Sequence, residues 1–359
     1  MVHITKRKQL PRLQRIAIRL AAVFCALVVC GLVTTCLTGL DPIKVYATMI
    51  EGAFGSQRKV WVLLKEMSIL LCISLALAPA FRMKFWNLGG EGQVLMGALA
   101  TAACMIKLGD KLPNALLICV MLLAALAAGA VWALIPAFFK ARWNTNETLF
   151  TLMMNYVATQ FVAYYVILWE VPKGSGKIGI INQATEAGWL PQIGSYKYLL
   201  DVILVAIVCV GMYIYLNYSK QGYEVAVVGE SVNTARYVGI KVDRVIMRTL
   251  LLSGAICGFA GLLLVAGTDH TITTTIAGGN GFTGVMVAWL AKFNPLAMIA
   301  SSFLLSFMSA GAGEISTSLA LNHSFGDILT GIILFFIIGS DFFLTYKVHF
   351  QKKEVESNV

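Results

Sequence analysis

The sequence predicts an all-α, polytopic membrane protein of about ten transmembrane helices, some of them short or broken, arranged as an inverted repeat. Three observations predict it. The 359 residues are 58% hydrophobic and only 13% charged, against about 25% charge in soluble domains. The apolar residues fall in runs of about twenty, the length a hydrocarbon core demands. The tetrapeptides Gly89-Gly-Glu-Gly92 and Gly278-Gly-Asn-Gly281 each open an apolar run. Five spans separate them, an odd number, so the two runs point in opposite directions across the membrane, as in inverted-repeat transporters.

Ten spans are predicted, at roughly 16–40, 60–80, 87–106, 113–139, 148–169, 199–217, 249–267, 282–291, 295–312 and 326–346. The eighth is too short to cross as a regular helix. Ten crossings place both termini on one side. Of the 28 Lys and Arg residues, 19 fall on that side and 9 on the other. The positive-inside bias makes the richer side cytoplasmic, so the net charge of +10 marks topology and not affinity for nucleic acid. Residues 1–15 form a cytoplasmic N-terminal tail, 16–346 the membrane domain and 347–359 a cytoplasmic C-terminal tail. Within the membrane domain, 218–248 is a cytoplasmic loop and 170–198 an external one. The apolar run from Ile16 to Leu40 is too long for a signal core and reads as a retained first span.

The cytoplasmic loop carries helix punctuation. Ser231 suits an N-cap, residues 232–238 make about two turns, and Gly239 suits the C′ position with positive φ. Asp243 is expected to cap the next span. A two-turn helix is too short to be stable alone, so either its own protein or a partner holds it.

Polar residues inside apolar runs mark the other region of interest. Asn87-Leu-Gly-Gly-Glu-Gly-Gln93 interrupts a helix, with Glu91 and Gln93 at the restart. A carboxylate there caps a helix N-terminus, or the broken backbone lines a water-filled path. Thr148, Thr151, Asn155 and Thr159 share one face of the fifth span. They form either interhelical hydrogen bonds or the polar wall of a pore. Asn280, in the second Gly-Gly-x-Gly copy, is placed with them as a pathway residue. Small-residue stripes at Gly254, Gly258 and Gly261, and at Ser302, Ser306, Ser309 and Gly313, read as close helix contacts.

Enzymatic chemistry has no visible seat. The eight cysteines lie in apolar runs without a Cys-x-x-Cys pair and read as packing residues. The four histidines fall in tails or loops, so no catalytic or metal site is expected. Gly174-Ser-Gly-Lys177 lacks the upstream Gly and the following Ser or Thr of a phosphate loop.

Three motifs together resemble a known family. Asn87-Leu-Gly-Gly-Glu-Gly-Gln-Val-Leu-Met-Gly97, Asn146-Glu-Thr-Leu-Phe-Thr-Leu-Met-Met-Asn-Tyr156 and Gly229-Glu-Ser-Val-Asn-Thr-Ala-Arg-Tyr-Val-Gly-Ile-Lys241 are similar to signatures of permease subunits of ATP-binding-cassette importers. The subfamily works with basic-membrane-protein-type lipoproteins and is related to simple-sugar and branched-chain amino-acid permeases. The likeness runs from about Val60 to Tyr346. It implies an importer permease in a bacterial cytoplasmic (inner) membrane, for a small neutral solute, nucleosides first and simple sugars as the alternative. It implies a coupling helix at Glu230, Ser231, Asn233, Ala235, Arg236, Tyr237 and Gly239, with Val232, Ala235 and Val238 as the apolar body seated in an ATPase groove. It implies a partner ATPase that holds ATP and Mg, leaving this chain without a cofactor. It further implies a second permease subunit in a heterodimer and an external substrate-binding lipoprotein. Glu230 departs from relatives, which often have Ala, Phe or Gly there. An ion-coupled secondary transporter is the rival reading, but Glu66, Glu91, Asp269, Asp327 and Asp341 all fall near span ends rather than at the midplane. Nucleobases or sugars could stack on Trp132, Tyr156 or Trp289.

Overall fold

The apolar runs become helices because, in lipid, a helix is the one open-ended structure that satisfies its own backbone. The structure, a computed structural model, describes residues 2–6, 11–194 and 196–350. Among the described residues, eight helices are long and apolar enough to cross a membrane. They include α1 (Arg12–Thr38), α3 (Gln57–Arg82), α5 (Asn114–Trp143), α6 (Glu147–Trp169) and α7 (Leu199–Tyr218). The other three are α10 (Val242–Leu262), which runs on as a π-turn over Leu263–Asp269, α12 (Pro295–Ser318) and α13 (His323–Thr345). The two remaining predicted spans are α4 (Gly90–Leu108), with its polar opening turn, and the 11-residue α11 (Asn280–Leu290).

Three shorter helices complete the set: α2 (Pro42–Phe54), α8 (Lys220–Glu230) and α9 (Val232–Tyr237). The span pattern misses α2, although its start is written in the sequence. Asp41 accepts a hydrogen bond from the Ile43 amide, and Pro42 sits in the first turn, where a missing N–H costs nothing.

The chain folds as two compact units, one from the termini up to Val60 and back from Phe307, the other from Trp61 to Ser306. In the terminal unit, α1 and α13 pack through Ala26, Cys30, Leu329 and Ile333. Lys59 and Glu314 form an ion pair at 2.8 Å. Two strands, β1 (Val2–Lys6) and β2 (Tyr346–Phe350), pair antiparallel with Val2 opposite Phe350. This short ribbon therefore joins residues 2–6 of the expected N-terminal tail to residues 346–350, where the expected C-terminal tail begins, and departs from an all-helical fold.

In the larger unit, α4, α5 and α10 form the core, and glycine permits their approach. A Cβ on Gly258 would overlap the Ala125 carbonyl, and one on Gly97 would overlap Gly258 itself. The stripe at Gly254 and Gly258 is thus a backbone-to-backbone contact, as small residues in membrane helices allow. Gly258→Val should force α5 and α10 apart, costing at least the roughly 1–3 kcal/mol typical of overpacking. Gly211→Ala, where nothing stands within 4 Å, should leave the melting temperature of the purified protein the same or slightly higher, while Gly258→Val lowers it.

Candidate functional site

The first region is the break between α3 and α4. Lys84 turns the chain with φ 59°, and residues 84–89 run without helical hydrogen bonding. Polar side chains satisfy the freed backbone. Thr151 Oγ1 accepts from the Leu88 amide at 3.1 Å. Asn155 Nδ2 donates to the Leu88 carbonyl at 2.8 Å, and its Oδ1 accepts from the Gly92 amide at 2.9 Å. Asn87 Oδ1 accepts from the Gly89 amide at 3.0 Å and from Gln93 Nε2 at 3.2 Å, while Asn87 Nδ2 donates to Ser253 Oγ at 3.3 Å. A Cβ on Gly92 would lie 2.9 Å from Asn155 Oδ1, so this clasp also needs glycine. Ser253 lies near the middle of the 28-residue span Val242–Asp269, which places the break, and Glu91 with it, at mid-depth and not near a span end as its place in the sequence suggests, because α4 starts part-way across.

The second broken element meets the first here. Glu91 Oε1 accepts from the Gly279 amide at 2.9 Å and Oε2 from the Gly281 amide at 2.8 Å. Gly278 and Gly279 hold φ of 60° and 75°, in the left-handed region glycine tolerates. A Cβ on Gly281 would overlap the Glu91 amide. The two Gly-Gly-x-Gly copies thus touch, N-terminus to N-terminus. Neither helix has a side-chain cap of its own. Each N-terminus carries free N–H groups and about half a positive charge, which the one carboxylate serves. At its other end, α11 returns to the foot of α3. The Trp289 ring lies 5.4 Å from Trp86 and 6.3 Å from Phe81, and Phe293 stacks on Phe81.

The third region is α8–α9. Ser231 Oγ accepts from the Thr234 amide at 3.2 Å. The helix ends with Ile240 N–H on the Ala235 carbonyl and Gly239 N–H on the Arg236 carbonyl, the paired bonds of a glycine-terminated helix. Gly239 holds φ 84°. Both caps are as the sequence predicts. Asp243, however, lies inside the first turn of α10 and caps nothing, because α10 begins at Val242 with Lys241 at the cap position. Ala235 is 0% exposed and packs among Ala80, Met83, Phe85 and Val242. Arg236, Asn233, Val232, Val238 and Glu230 are exposed, and Tyr237 is 93% exposed. A Cβ on Gly229 would overlap the Arg82 carbonyl, so α8 rests on the corner that leads into the break. A cavity of about 500 Å³, lined by Lys84, Lys140, Glu230, Arg236 and Asp243 among others, opens beside α9.

Over residues 62–338 the sequence matches the family described as "Branched-chain amino acid transport system / permease component". The chain belongs to this permease family. It is similar to the guanosine ABC transporter permease protein NupP of Bacillus subtilis, 29% identical over 92% of this chain and 94% of that one. The glucose ABC transporter permease protein TsgB13 of Haloferax volcanii is 28% identical, over 91% and 88%. The nucleoside ABC transporter permease protein NupB of Lactococcus lactis is 25% identical, over 83% and 84%.

In this permease the predicted pathway residues separate into two groups. Gln93 and Thr151 are fully buried, Asn155 is 6% exposed, and all three bond to the protein itself. Apart from Gln93 Oε1, which is buried without a partner, their polar atoms serve the break, and none faces an open route in this conformation. A polar residue in an apolar span signals both roles equally, and the backbone freed at Leu88 and Gly92 claims it. Thr148 and Asn280 are partly exposed. Glu91 caps a helix, as one sequence reading has it, but the helix whose amides it accepts from is α11 and not its own. Ala235 likewise faces inward and is not part of an outward docking surface. Sequence reasoning gave no part in this clasp to Asn87, Ser253, Gly279 and Gly281. Asn87 was visible as a second amide beside the break, Ser253 as a small residue beside the Gly254 and Gly258 stripe, and the two glycines as members of the second Gly-Gly-x-Gly copy. Asn155→Leu should strand the Leu88 carbonyl and Gly92 amide, each at about 1–3 kcal/mol. The expected result is a lower melting temperature and lower yield. A variant as stable as the parent would show that the clasp is dispensable.

Proposed function

We propose that this chain is the membrane-spanning permease subunit of an ATP-driven importer of nucleosides. The observation that carries the reading is the family match over most of the chain, joined to a capped, outward-facing helix on the more basic side. In this reading both termini and the 218–248 loop are cytoplasmic, and 170–198 faces outward. ATP and Mg reside on a separate ATPase subunit, so the chain performs no chemistry. A second permease subunit completes the path, and a lipoprotein delivers solute from outside. Two of the three relatives above are named for guanosine or nucleoside transport, which supports the nucleoside. The relative named for glucose supports a simple sugar as the second reading. Uptake of labelled guanosine and of labelled glucose into vesicles holding the complete transporter and internal ATP decides between them. Guanosine uptake supports the first reading, and glucose uptake alone replaces it with the second.

The exposed face of α9 would contact the ATPase through Arg236 and Tyr237, with Glu230, Asn233, Val232 and Val238 around them. Ser231 and Gly239 shape that face, and Ala235 anchors it from within. Arg236→Glu should therefore leave the unfolding free energy within about 0.5 kcal/mol of the parent, as surface changes do. It should also abolish solute-stimulated ATP hydrolysis. Ala235→Trp should instead unseat α9 and destabilise the protein, because a ring cannot enter a filled core. Full stimulation with Arg236→Glu would remove α9 from the coupling interface.

A further inference from the structure

Residues 270–279 descend from the end of the Val242–Asp269 span to Glu91 at its middle, and no regular structure spans that distance. Lipid offers no partners to such backbone, which is tolerated at this depth only against protein or water. The stretch is two-sided. Ile272, Ile276 and Ala277 are buried, whereas Thr273, Thr275 and Gly278 are exposed. The division continues along α11, where Gly281, Gly284, Val287 and Ala288 are buried. Phe282, Met286 and Trp289 are exposed, and their spacing of four and three puts them on one face. Acyl chains would suit those three side chains but not the threonines and glycine that continue the same face. No residue from Thr271 to Trp289 is charged.

We propose that this outward face, residues 273–289, is the wall of the solute path, and that the tilted pair Trp289 and Trp86 offers an aromatic platform at its inner end for a planar ring. The assignment rests on the permease reading above. Trp86 is 45% exposed and Trp289 48%, their rings inclined by 32°, and an exposed aromatic face stacks on any nucleobase. Thr273, Thr275 and Asn280 supply hydroxyl and amide groups above the platform, suited to a neutral polar solute.

The test uses the complete transporter with the eight native cysteines of this chain replaced. Thr275→Cys, Phe282→Cys and Met286→Cys are introduced singly and exposed to a membrane-impermeant thiol reagent, in resting and ATP-trapped states. Each thiol should react in at least one state, and guanosine should slow that reaction at least fivefold. Trp289→Ala should raise the KM for guanosine uptake by between about fivefold and a hundredfold, and Trp289→Phe, which keeps an aromatic face at the same place, should recover most of that loss. Thiols that stay inert, or that cross-link to the second permease, in variants that still import guanosine would overturn the assignment. Protection by glucose but not by guanosine would overturn the planar-ring platform. Absence of ATP-driven uptake of either solute by the unmodified complex would instead overturn the permease reading, and this proposal with it.

Discussion

One carboxylate joins the two halves of the larger unit. Broken helices at membrane depth present free N–H groups and aligned dipoles, and two such ends brought together repel unless an anion lies between them. Glu91 is that anion, with one oxygen on each of two amides of the other copy. The close approach it enforces explains the glycines around it, since Gly281 has room for nothing more. It also explains the amides behind it. Once the chain is held open at residues 86–90, Asn87, Asn155 and Thr151 are needed to satisfy what the helix no longer does.

The same contact ties the mid-membrane break to the exposed loop helix. α9 is anchored by Ala235 in a core shared with Met83 and Phe85, and Gly229 rests on the Arg82 carbonyl. From Phe85 the chain runs directly through Asn87 into Glu91, and Glu91 holds the head of α11 while Trp86 and Phe81 hold its foot. A push on α9 therefore meets a continuous packed route to a half-length helix, with no lipid-filled gap between. Chains of packed side chains of this kind are one carrier of energetic coupling between distant sites. Packed interfaces shift between discrete arrangements and do not deform smoothly.

Much of this was legible in the sequence. Span positions follow from run length, and α9 follows from Ser231 and Gly239, because local chemistry alone sets those caps. The likeness of the two Gly-Gly-x-Gly tetrapeptides was visible, and so was their opposite direction. That they touch was not, since 188 residues separate Glu91 from Gly279 and no local rule spans that distance. Direction on short elements was also hidden. Val232, Ala235 and Val238 are equally spaced on a two-turn helix, and only the core beneath decides that Ala235 alone turns inward. Asn155 was ambiguous for a similar reason, because one amide in an apolar run reads alike as clasp or as pore wall. The strand pairing of Val2–Lys6 with Tyr346–Phe350 left no mark in either segment.

The central claim is that the Glu91 carboxylate holds the head of α11. Hydrogen exchange at the Gly279 and Gly281 amides measures this bond directly. Charge-assisted hydrogen bonds contribute about 1.5–3 kcal/mol, so Glu91→Gln should speed exchange at these two amides by roughly ten- to a hundredfold, with the amides of α10 unchanged. Equal exchange at both amides in parent and variant would contradict the account.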